Sequence, residues 1–317
     1  MKYRAMGRCG LKLSALGLGG WTTFGESITD AATVRAIIRA AYERGVNFFD
    51  MADAYARGEA ERVMGRALRE LPRHTLVLSS KVYRPMSDDV NDRGLSRKHI
   101  MEAVDRSLQR IGTDYLDLYF CHRDDPETPV EETVRAMDDL VRTGKVLYWG
   151  TSEWPAATLQ EALDAAGGTL YRPQVEQSLY NLLWRGRVER DIAGLVDRNG
   201  LGVVVWGPLA FGLLSGKYDD GLPEGSRLAR MPALRDTWYR EGHVDRVRQL
   251  RPIADRLGVT RAQLALAWLL ERQYVSSVIT GAASVEQVES NLLAVDLTLP
   301  DDVRYAIDAI FPLEVAA

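Results

Sequence analysis

Sulfur and imidazole ligands are scarce in this chain, which has two cysteines and four histidines in 317 residues. Cys9 lies in a turn-like Gly-Arg-Cys-Gly run and Cys121 in an apolar, strand-like run, so the two have no metal-ligand spacing. We therefore expect reduced thiols rather than a disulfide, and we predict no metal site.

The chain also has no long apolar run and no excess of one charge. No stretch of about 18 apolar residues predicts a membrane span, and residues 1–5 carry no apolar signal core. A formal net charge of -4, with basic and acidic residues interspersed, gives no basic stripe for nucleic acid and no polybasic patch for a membrane. These absences favour a cytoplasmic protein that acts on a small molecule.

Linker-like composition is absent too, and the sequence instead alternates short apolar runs with amphipathic helical patterns. Because no low-complexity or Pro/Gly-rich stretch divides the chain, and 46% of its residues are hydrophobic, we predict one domain over residues 1–317. In residues 99–111, Ile100, Val104 and Leu108 share one helical face. Eight runs are strand candidates: 15–19, 47–50, 76–81, 116–121, 146–152, 174–177, 202–206 and 277–280.

Eight strands in β-α alternation predict an α/β fold, the (β/α)8 TIM barrel. A doubly wound sheet is the competing interpretation, but the glycines at 17–21 do not have the GxGxxG spacing. Residues 3–13 predict a β-hairpin that closes the barrel bottom. About 70 residues separate the seventh and eighth strand candidates, and the glycine- and charge-rich stretch 211–242 predicts a functional loop over the catalytic rim.

Three successive strand candidates end in ionisable residues. Asp50, Lys81 and His122 stand at these ends, and Tyr55 follows shortly after Asp50. Because parallel strands bring their carboxyl ends to one rim of a barrel, we expect these side chains to converge there. Taken singly, Asp50 or Lys81 would be a cap or a salt-bridge partner. His122 would be a packed histidine, Tyr55 a packed loop ring, and Trp206 a core aromatic.

Together these side chains suit proton donation to a forming alkoxide. A phenol with a pKa near 10 gives up its proton reluctantly, and a unit charge about 4 Å away contributes roughly 4 kcal/mol at an effective dielectric of about 20. We therefore expect the Lys81 ammonium to lower the pKa of Tyr55, while Asp50 keeps that lysine charged. His122 would donate a hydrogen bond to the substrate carbonyl.

Longer motifs, in the same order along nearly the whole chain, resemble those of the aldo-keto reductase superfamily. They comprise residues 45–50 with Tyr55 and 58–61, the strand around Lys81, 114–119 and 150–152. Within the superfamily, three further stretches are most similar to the branch of the potassium-channel β-subunits and their bacterial aldehyde-reductase relatives. These stretches are 93–100, 128–133 and 212–218.

The resemblance implies a carbonyl reductase that binds NADP(H) without a Rossmann domain and reduces small aldehydes, with dicarbonyls and aromatic aldehydes as candidate substrates. The positions that match the catalytic tetrad are Asp50, Tyr55, Lys81 and His122. The positions that match cofactor-binding residues are Gly20, Trp21, Asp50, Ser152, Gln177, Trp206, Pro208, Leu209, Ala210, Phe211, Lys217, Arg227, Gly281, Gln287 and Asn291. By this match Trp206 would stack on the nicotinamide, and Ser152 and Gln177 would hold its carboxamide.

The chain departs from the family pattern at three positions. The channel subunits have an asparagine where this chain has His122, so the resemblance implies the enzymatic form of the tetrad. The adenosine motif usually has a serine and a glutamate where this chain has Ala283 and Ser290. Discrimination between NADPH and NADH is therefore expected to fall on Arg227, which would favour NADPH by contacting its extra phosphate.

Two other functions remain open. An NADP(H)-binding redox sensor or regulatory subunit with slow catalysis would fit the channel-subunit resemblance, although His122 argues against it. An aldolase with Lys81 as its Schiff base would leave Tyr55 and Trp206 without a role. The expected partner is a small-molecule carbonyl compound, and the sequence leaves a homo-oligomer open.

Overall fold

The computed structural model describes residues 1–313. Its strands are β1 (Tyr3–Ala5), β2 (Lys12–Ser14), β3 (Leu16–Gly19), β4 (Phe48–Asp50), β5 (Val77–Val82), β6 (Leu116–Cys121), β7 (Val146–Ser152), β8 (Val175–Leu179), β9 (Gly202–Trp206) and β10 (Val275–Thr280). The last eight close into a barrel in which each pairs with the next and β10 pairs with β3. The predicted (β/α)8 barrel is confirmed, and its strands lie within two residues of the predicted bounds.

Amphipathic helices surround the barrel and cover its strands. In the third helix, the Ser96 side chain accepts a hydrogen bond from the backbone N–H of His99, and Gly112 ends the helix with a φ of 75°. Ile100 and Val104 are buried on its barrel-facing side. The helices are α1 (Ala31–Glu43), α2 (Glu59–Leu68), α3 (Arg97–Ile111), α4 (Val130–Arg142), α5 (Ala156–Ala166), α6 (Ala193–Asn199), α7 (Arg227–Arg230), α8 (Pro232–Trp238), α9 (Glu241–Arg248), α10 (Arg251–Leu257), α11 (Arg261–Leu270), α12 (Val285–Leu292) and α13 (Asp301–Ile310).

The predicted N-terminal hairpin is present, with β1 and β2 paired antiparallel. Its apolar residues Met6 and Leu13 are fully buried and pack into a core cluster with barrel side chains such as Phe48 and Val204. Gly7 has a φ of 58°, and a Cβ there would lie 2.4 Å from the Gly200 carbonyl oxygen, just before β9 begins. Only glycine lets the hairpin approach the start of β9 this closely. The hairpin thereby closes the amino-terminal end of the barrel.

The long connection after β9, the seventh barrel strand, is also confirmed, but its glycine- and charge-rich part is not one irregular loop. A short 3-10 helix, Ala210–Ser215, comes first, and the helices α7, α8 and α9 occupy most of residues 227–248. Pro232 stands in the first turn of α8, where its missing N–H costs no hydrogen bond. The charge and glycine content of this stretch therefore does not predict its short helices.

The described residues also bear on membrane-spanning and metal-binding features. No helix within residues 1–313 is both long enough and apolar enough to cross a bilayer. In this described part of the chain, no group of three or more His, Cys, Asp or Glu side chains could hold a metal ion. Both cysteines are free thiols.

Candidate active site

The strand ends bring a buried lysine, an aspartate and a tyrosine into direct contact at the carboxyl rim of the barrel. Asp50 is the last residue of β4, and Lys81 lies near the end of β5, which pairs with β4 in parallel. The Lys81 Nζ donates hydrogen bonds of 2.7 Å to Asp50 Oδ2, 2.7 Å to the Met51 carbonyl oxygen and 2.9 Å to the Tyr55 hydroxyl. Its three N–H bonds are thereby all used.

Tyr55 reaches the lysine because the chain turns sharply after β4. The turn Tyr55–Gly58 has left-handed φ angles of 48° at Ala56 and 52° at Arg57, and a φ of 88° at Gly58. Non-glycine residues in this region cost about 1–3 kcal/mol each and persist only where the surrounding structure enforces them. The strained turn directs the phenol back over the end of β5.

Further side chains hold the Asp50 carboxylate in place. Ser79 donates to Asp50 Oδ1 at 2.8 Å, and the Gln177 amide donates to the same oxygen at 3.1 Å. Burial lowers the pKa of the Lys81 ammonium, and the Asp50 carboxylate opposes that effect. The carboxylate is therefore what favours a charged lysine in a site with no exposed ammonium surface.

The structure corrects the direction predicted for the pKa of Tyr55. Burial raises this pKa well above its usual value, the Asp50 carboxylate raises it further, and the cation of Arg123 opposes the rise. The prediction expected desolvation to take back only part of the effect of the ammonium, whereas desolvation of the phenolate is the larger effect here. Tyr55 accordingly keeps its proton through the neutral range, as a proton donor must.

His122 follows β6 and completes this group. Its ring centroid lies 5.8 Å from that of Tyr55, with the planes nearly perpendicular. Burial lowers the pKa of His122 well below its usual value, and the cations of Lys81 and Arg123 lower it further. The imidazole is therefore neutral and has one N–H donor. Within residues 1–313 its buried Nδ1 has no hydrogen-bond partner.

An aromatic wall stands beside these polar groups. The Trp21 ring lies 5.6 Å from that of Trp206 and 5.6 Å from that of Phe211, both nearly edge-on, and 6.5 Å from the Tyr55 ring. The Trp206 indole N–H donates to Glu153 Oε1 at 3.0 Å. Glu153 has a φ of 58° and directly follows β7, so a strained backbone aims its carboxylate at the indole.

A cavity of about 580 Å³ runs from this wall toward α12. Its size is within the range of small-molecule and cofactor sites. The predicted site residues that line it are Trp21, Asp50, Tyr55, Trp206, Pro208, Leu209, Phe211, Lys217, Arg227, Gly281, Gln287 and Asn291. The predicted residues that do not line it are Gly20, Lys81, His122, Ser152, Gln177 and Ala210.

Four of the residues that do not line the cavity, Gly20, Ser152, Gln177 and Ala210, are buried. Gln177 and Ser152 are buried, paired neighbours on β8 and β7, and the Gln177 amide is bonded to Asp50. Gly20 donates its backbone N–H to the Asp50 carbonyl oxygen at 2.9 Å. Ala210 is fully buried at the start of its 3-10 helix, with a φ of 46°. Gln287 does line the cavity, although its Oε1 accepts the Ala283 backbone N–H at 2.8 Å.

The end of the cavity away from Tyr55 is cationic and rich in hydroxyl groups. Arg227 Nη2 lies 3.3 Å from the Thr23 hydroxyl, and no ion pair of 4 Å or less involves Arg227 among the described residues. The Ser226 hydroxyl is buried without a hydrogen-bond partner in the part of the chain that the structure describes. The lining residues that the sequence did not predict include Thr23, Ser27, Ser215, Ser226, Arg230, Thr260 and Ser290. Ser215 lies in the stretch 212–218 and Ser290 at a position of the adenosine motif, whereas the other residues carry no motif and come together only in the folded chain.

Comparisons with known proteins agree with this geometry. The family model described as "Aldo/keto reductase family" matches residues 15–311. Two relatives are named "Probable voltage-gated potassium channel subunit beta", one from Arabidopsis thaliana and one from Oryza sativa subsp. japonica. Each is 45% identical over 303 residues, which cover 94% of this chain and 92% of the relative. A "Putative voltage-gated potassium channel subunit beta" from Schizosaccharomyces pombe is 41% identical over 326 residues, covering 99% and 95%.

Proposed function

This chain belongs to the aldo/keto reductase family, and from that premise we propose that it reduces aldehydes and ketones to alcohols with NADPH. One observation carries the proposal: Tyr55 lines a cofactor-sized cavity, and its hydroxyl accepts a hydrogen bond from the buried Lys81 ammonium. A protonated phenol beside an ammonium is a proton donor prepared for a developing alkoxide. The same groups would serve the reverse oxidation.

The cavity residues fit a phosphorylated dinucleotide. The aromatic wall formed by Trp21, Trp206 and Phe211 lies next to Tyr55, where a flat ring could stack. At the other end, Lys217 and Arg227 supply cations, and the unpartnered Ser226 hydroxyl supplies a hydrogen-bonding group. When bound, NADPH supplies the hydride for the reaction.

The chain's own residues bind and orient the carbonyl compound and move the proton. The neutral His122 imidazole donates a hydrogen bond to the substrate oxygen and fixes its position beside Tyr55. The phenol then transfers its proton to that oxygen as negative charge develops on it. Lys81 stabilises the phenolate that remains, and Asp50 stabilises the charged lysine.

A second candidate function is an NADP(H)-binding regulatory subunit with slow catalysis. It is supported by the names of the relatives, which are described as channel subunits. Both functions need the same cavity, so cofactor binding does not separate them. Turnover does.

The experiment is NADPH oxidation with a panel of aliphatic, aromatic and dicarbonyl aldehydes, with the alcohol product identified. We expect sustained turnover in the wild type. In Tyr55→Phe we expect a loss of about 100-fold or more in turnover, with NADPH binding retained, since the hydroxyl acts only in the transition state. Turnover that is equally slow in both proteins would favour the regulatory function instead.

A further inference from the structure

Two arginines stand at the same level of the barrel rim, on neighbouring strands. In the parallel pairing of β5 with β6, Val82 lies opposite Cys121, and the His122 N–H donates to the Val82 carbonyl oxygen at 2.9 Å. Arg84 and Arg123 each follow that pair by two residues. The register therefore places both at the rim next to His122, outside the barrel interior.

In the part of the chain that the structure describes, neither guanidinium is paired with an acid. For residues 1–313, no ion pair of 4 Å or less involves Arg84 or Arg123. Arg123 is half-buried and donates through Nη1 to the His122 carbonyl oxygen at 2.5 Å, which leaves its other N–H groups without a carboxylate. The Arg84 guanidinium is exposed and lies 5.9 Å from the centroid of the Tyr83 ring.

The two acids that act electrostatically on Arg123, Glu153 and Glu176, accept hydrogen bonds from other groups. Glu153 Oε1 accepts the N–H groups of Trp206 and Leu179. Glu176 accepts from Arg187 at 2.9 Å and from the Thr151 hydroxyl. Both carboxylates favour the charged form of Arg123, but neither lies within 4 Å of its guanidinium as an ion pair.

The two positive charges act where the substrate carbonyl would lie. The cations of Arg123 and Arg84 both lower the pKa of His122, and Arg123 also opposes the rise in the pKa of Tyr55. Arg123 bonds to the His122 carbonyl oxygen, and Arg84 follows Val82, whose carbonyl oxygen accepts the His122 N–H, so both arginines lie beside the residue that would hold the substrate oxygen. Charge complementarity at this position would favour an anionic substituent on the substrate.

We propose that Arg84 and Arg123 form an anion clamp, and that the preferred substrates are carbonyl compounds that carry a carboxylate or a comparable anionic group. The inference rests on the proposed reductase function and narrows its substrate class. Guanidinium groups match carboxylates with paired N–H donors, so the clamp holds the anion while His122 holds the carbonyl oxygen.

The test compares 4-formylbenzoate with 4-formylbenzamide, which have nearly the same shape and differ in charge. We expect kcat/KM to be about 10-fold or more higher for the carboxylate in the wild type, the size of one good charged hydrogen bond. Arg123→Met and Arg84→Met should each reduce this ratio toward one. Added salt should reduce it in the wild type through screening. Arg84 is exposed, so its variant tests the clamp even where Arg123→Met fails to fold.

Arg135→Met is the matched control, because Arg135 is an exposed arginine on the outer helix α4, and it should keep the wild-type ratio. A wild-type ratio near one, or an unchanged ratio in both rim variants, would overturn the clamp while leaving the reductase proposal intact. If neither aldehyde is reduced, the reductase proposal fails separately. Calorimetric binding of the two aldehydes to the NADPH-loaded protein then decides the clamp, with tighter binding of the carboxylate expected.

Discussion

Glu153 shows how one residue outside the predicted set can control the proposed cofactor site. Its carboxylate accepts the Trp206 indole N–H and the Leu179 backbone N–H through the same oxygen. The Arg187 guanidinium lies 3.8 Å from its other oxygen. The orientation of the indole is therefore fixed by a carboxylate that itself sits on strained backbone.

Glu153→Ala should weaken NADPH binding by about 1 kcal/mol, because a freely rotating Trp206 stacks less well and its N–H loses its partner. Trp206→Ala should cost a similar amount, and the double variant little more, since the two act through one contact. Glu153→Gln keeps an acceptor oxygen and serves as the control. The dissociation constant for NADPH is the measurement, and an unchanged value in Glu153→Ala would remove this role.

Asp53 lies beneath the site as a buried acid. It is fully buried, and its Oδ2 has no hydrogen-bond partner within residues 1–313, while its Oδ1 accepts the Ala54 N–H. Burial and the nearby Glu61 carboxylate raise the pKa of Asp53 to about 8. The folded state therefore holds a proton on Asp53 that the unfolded chain releases near its ordinary pKa of about 4.

This proton makes stability depend on pH in a definite direction. Between about pH 4 and about pH 8 the folded state binds more protons at Asp53 than the unfolded state, so the free energy of unfolding falls as the pH rises. Asp53→Asn should remove this contribution, and its stability relative to the wild type should increase by at least about 1 kcal/mol from pH 5 to pH 8. Urea unfolding of both proteins at several pH values measures this difference in the free energy of unfolding. Parallel curves for the two proteins would contradict a raised pKa.

At the residue scale, the sequence predicts site residues that stand at strand ends, but it does not predict those that only tertiary contacts bring to the site. The positions of Asp50, Lys81 and His122 follow from the ends of apolar runs, and these ends are visible in the sequence. Glu153 directly follows the predicted strand 146–152, so it carries the same signal and was nevertheless missed, whereas Ser226 has no such signal because it depends on the fold of the connection after β9. The pKa of Tyr55 was predicted in the wrong direction because burial cannot be read from a motif.

At the scale of elements, the connection after β9 forms one wall of the cavity. Phe211 and Gly212 have φ angles of 59° and 97°, so the 3-10 helix Ala210–Ser215 bends in the middle. A Cβ at Gly212 would lie 2.7 Å from the side chain of Lys217, so glycine gives that lysine its space. The helix α7 then brings Arg227 against Thr23, across the cavity.

Arg227→Ala should weaken NADPH binding by about 1.5–3 kcal/mol, roughly 10- to 100-fold, and leave NADH binding nearly unchanged. The reason is that, within residues 1–313, Arg227 forms no ion pair of 4 Å or less with an acid, so its charge is available to a phosphate. Arg235→Ala is the control, because Arg235 is a partly exposed residue of the same segment that is paired with Asp236. Equal wild-type affinities for the two cofactors, or equal losses in the variant, would refute the assignment.

The helices of this segment illustrate what periodicity can and cannot predict. Long helices such as α3 and α4 have several turns, so their apolar stripe is visible in the sequence. The helices α7 and α8 have one or two turns, too short for a stripe, and their few apolar residues are spread among charges. Packing against the rest of the protein stabilises these helices, since Leu228 in α7 and Trp238 in α8 are buried.

At the scale of the whole molecule, the hairpin and the cavity lie at opposite ends of the barrel. We propose that residues 1–317 form one cooperative domain. Met6→Ala should then lower the free energy of unfolding by about 2–5 kcal/mol, because it leaves a cavity in a close-packed cluster. Met1→Ala, at a partly exposed methionine, should change it little. Urea unfolding followed by fluorescence and circular dichroism should give a single transition. Two separate transitions would show that the hairpin and the barrel unfold independently.

In the proposed reaction, Tyr55 and its buried partners transfer a proton while NADPH delivers hydride to a carbonyl carbon. Mixing the protein, loaded with NADPH that carries deuterium at the transferred position of nicotinamide C4, with an excess of aldehyde tests it in one turnover. We predict one deuterium on the carbinol carbon for each NADPH consumed, and a rate in Tyr55→Phe lower by about 100-fold or more with the cofactor still bound. An alcohol without deuterium, or a wild-type rate in Tyr55→Phe, would contradict the account.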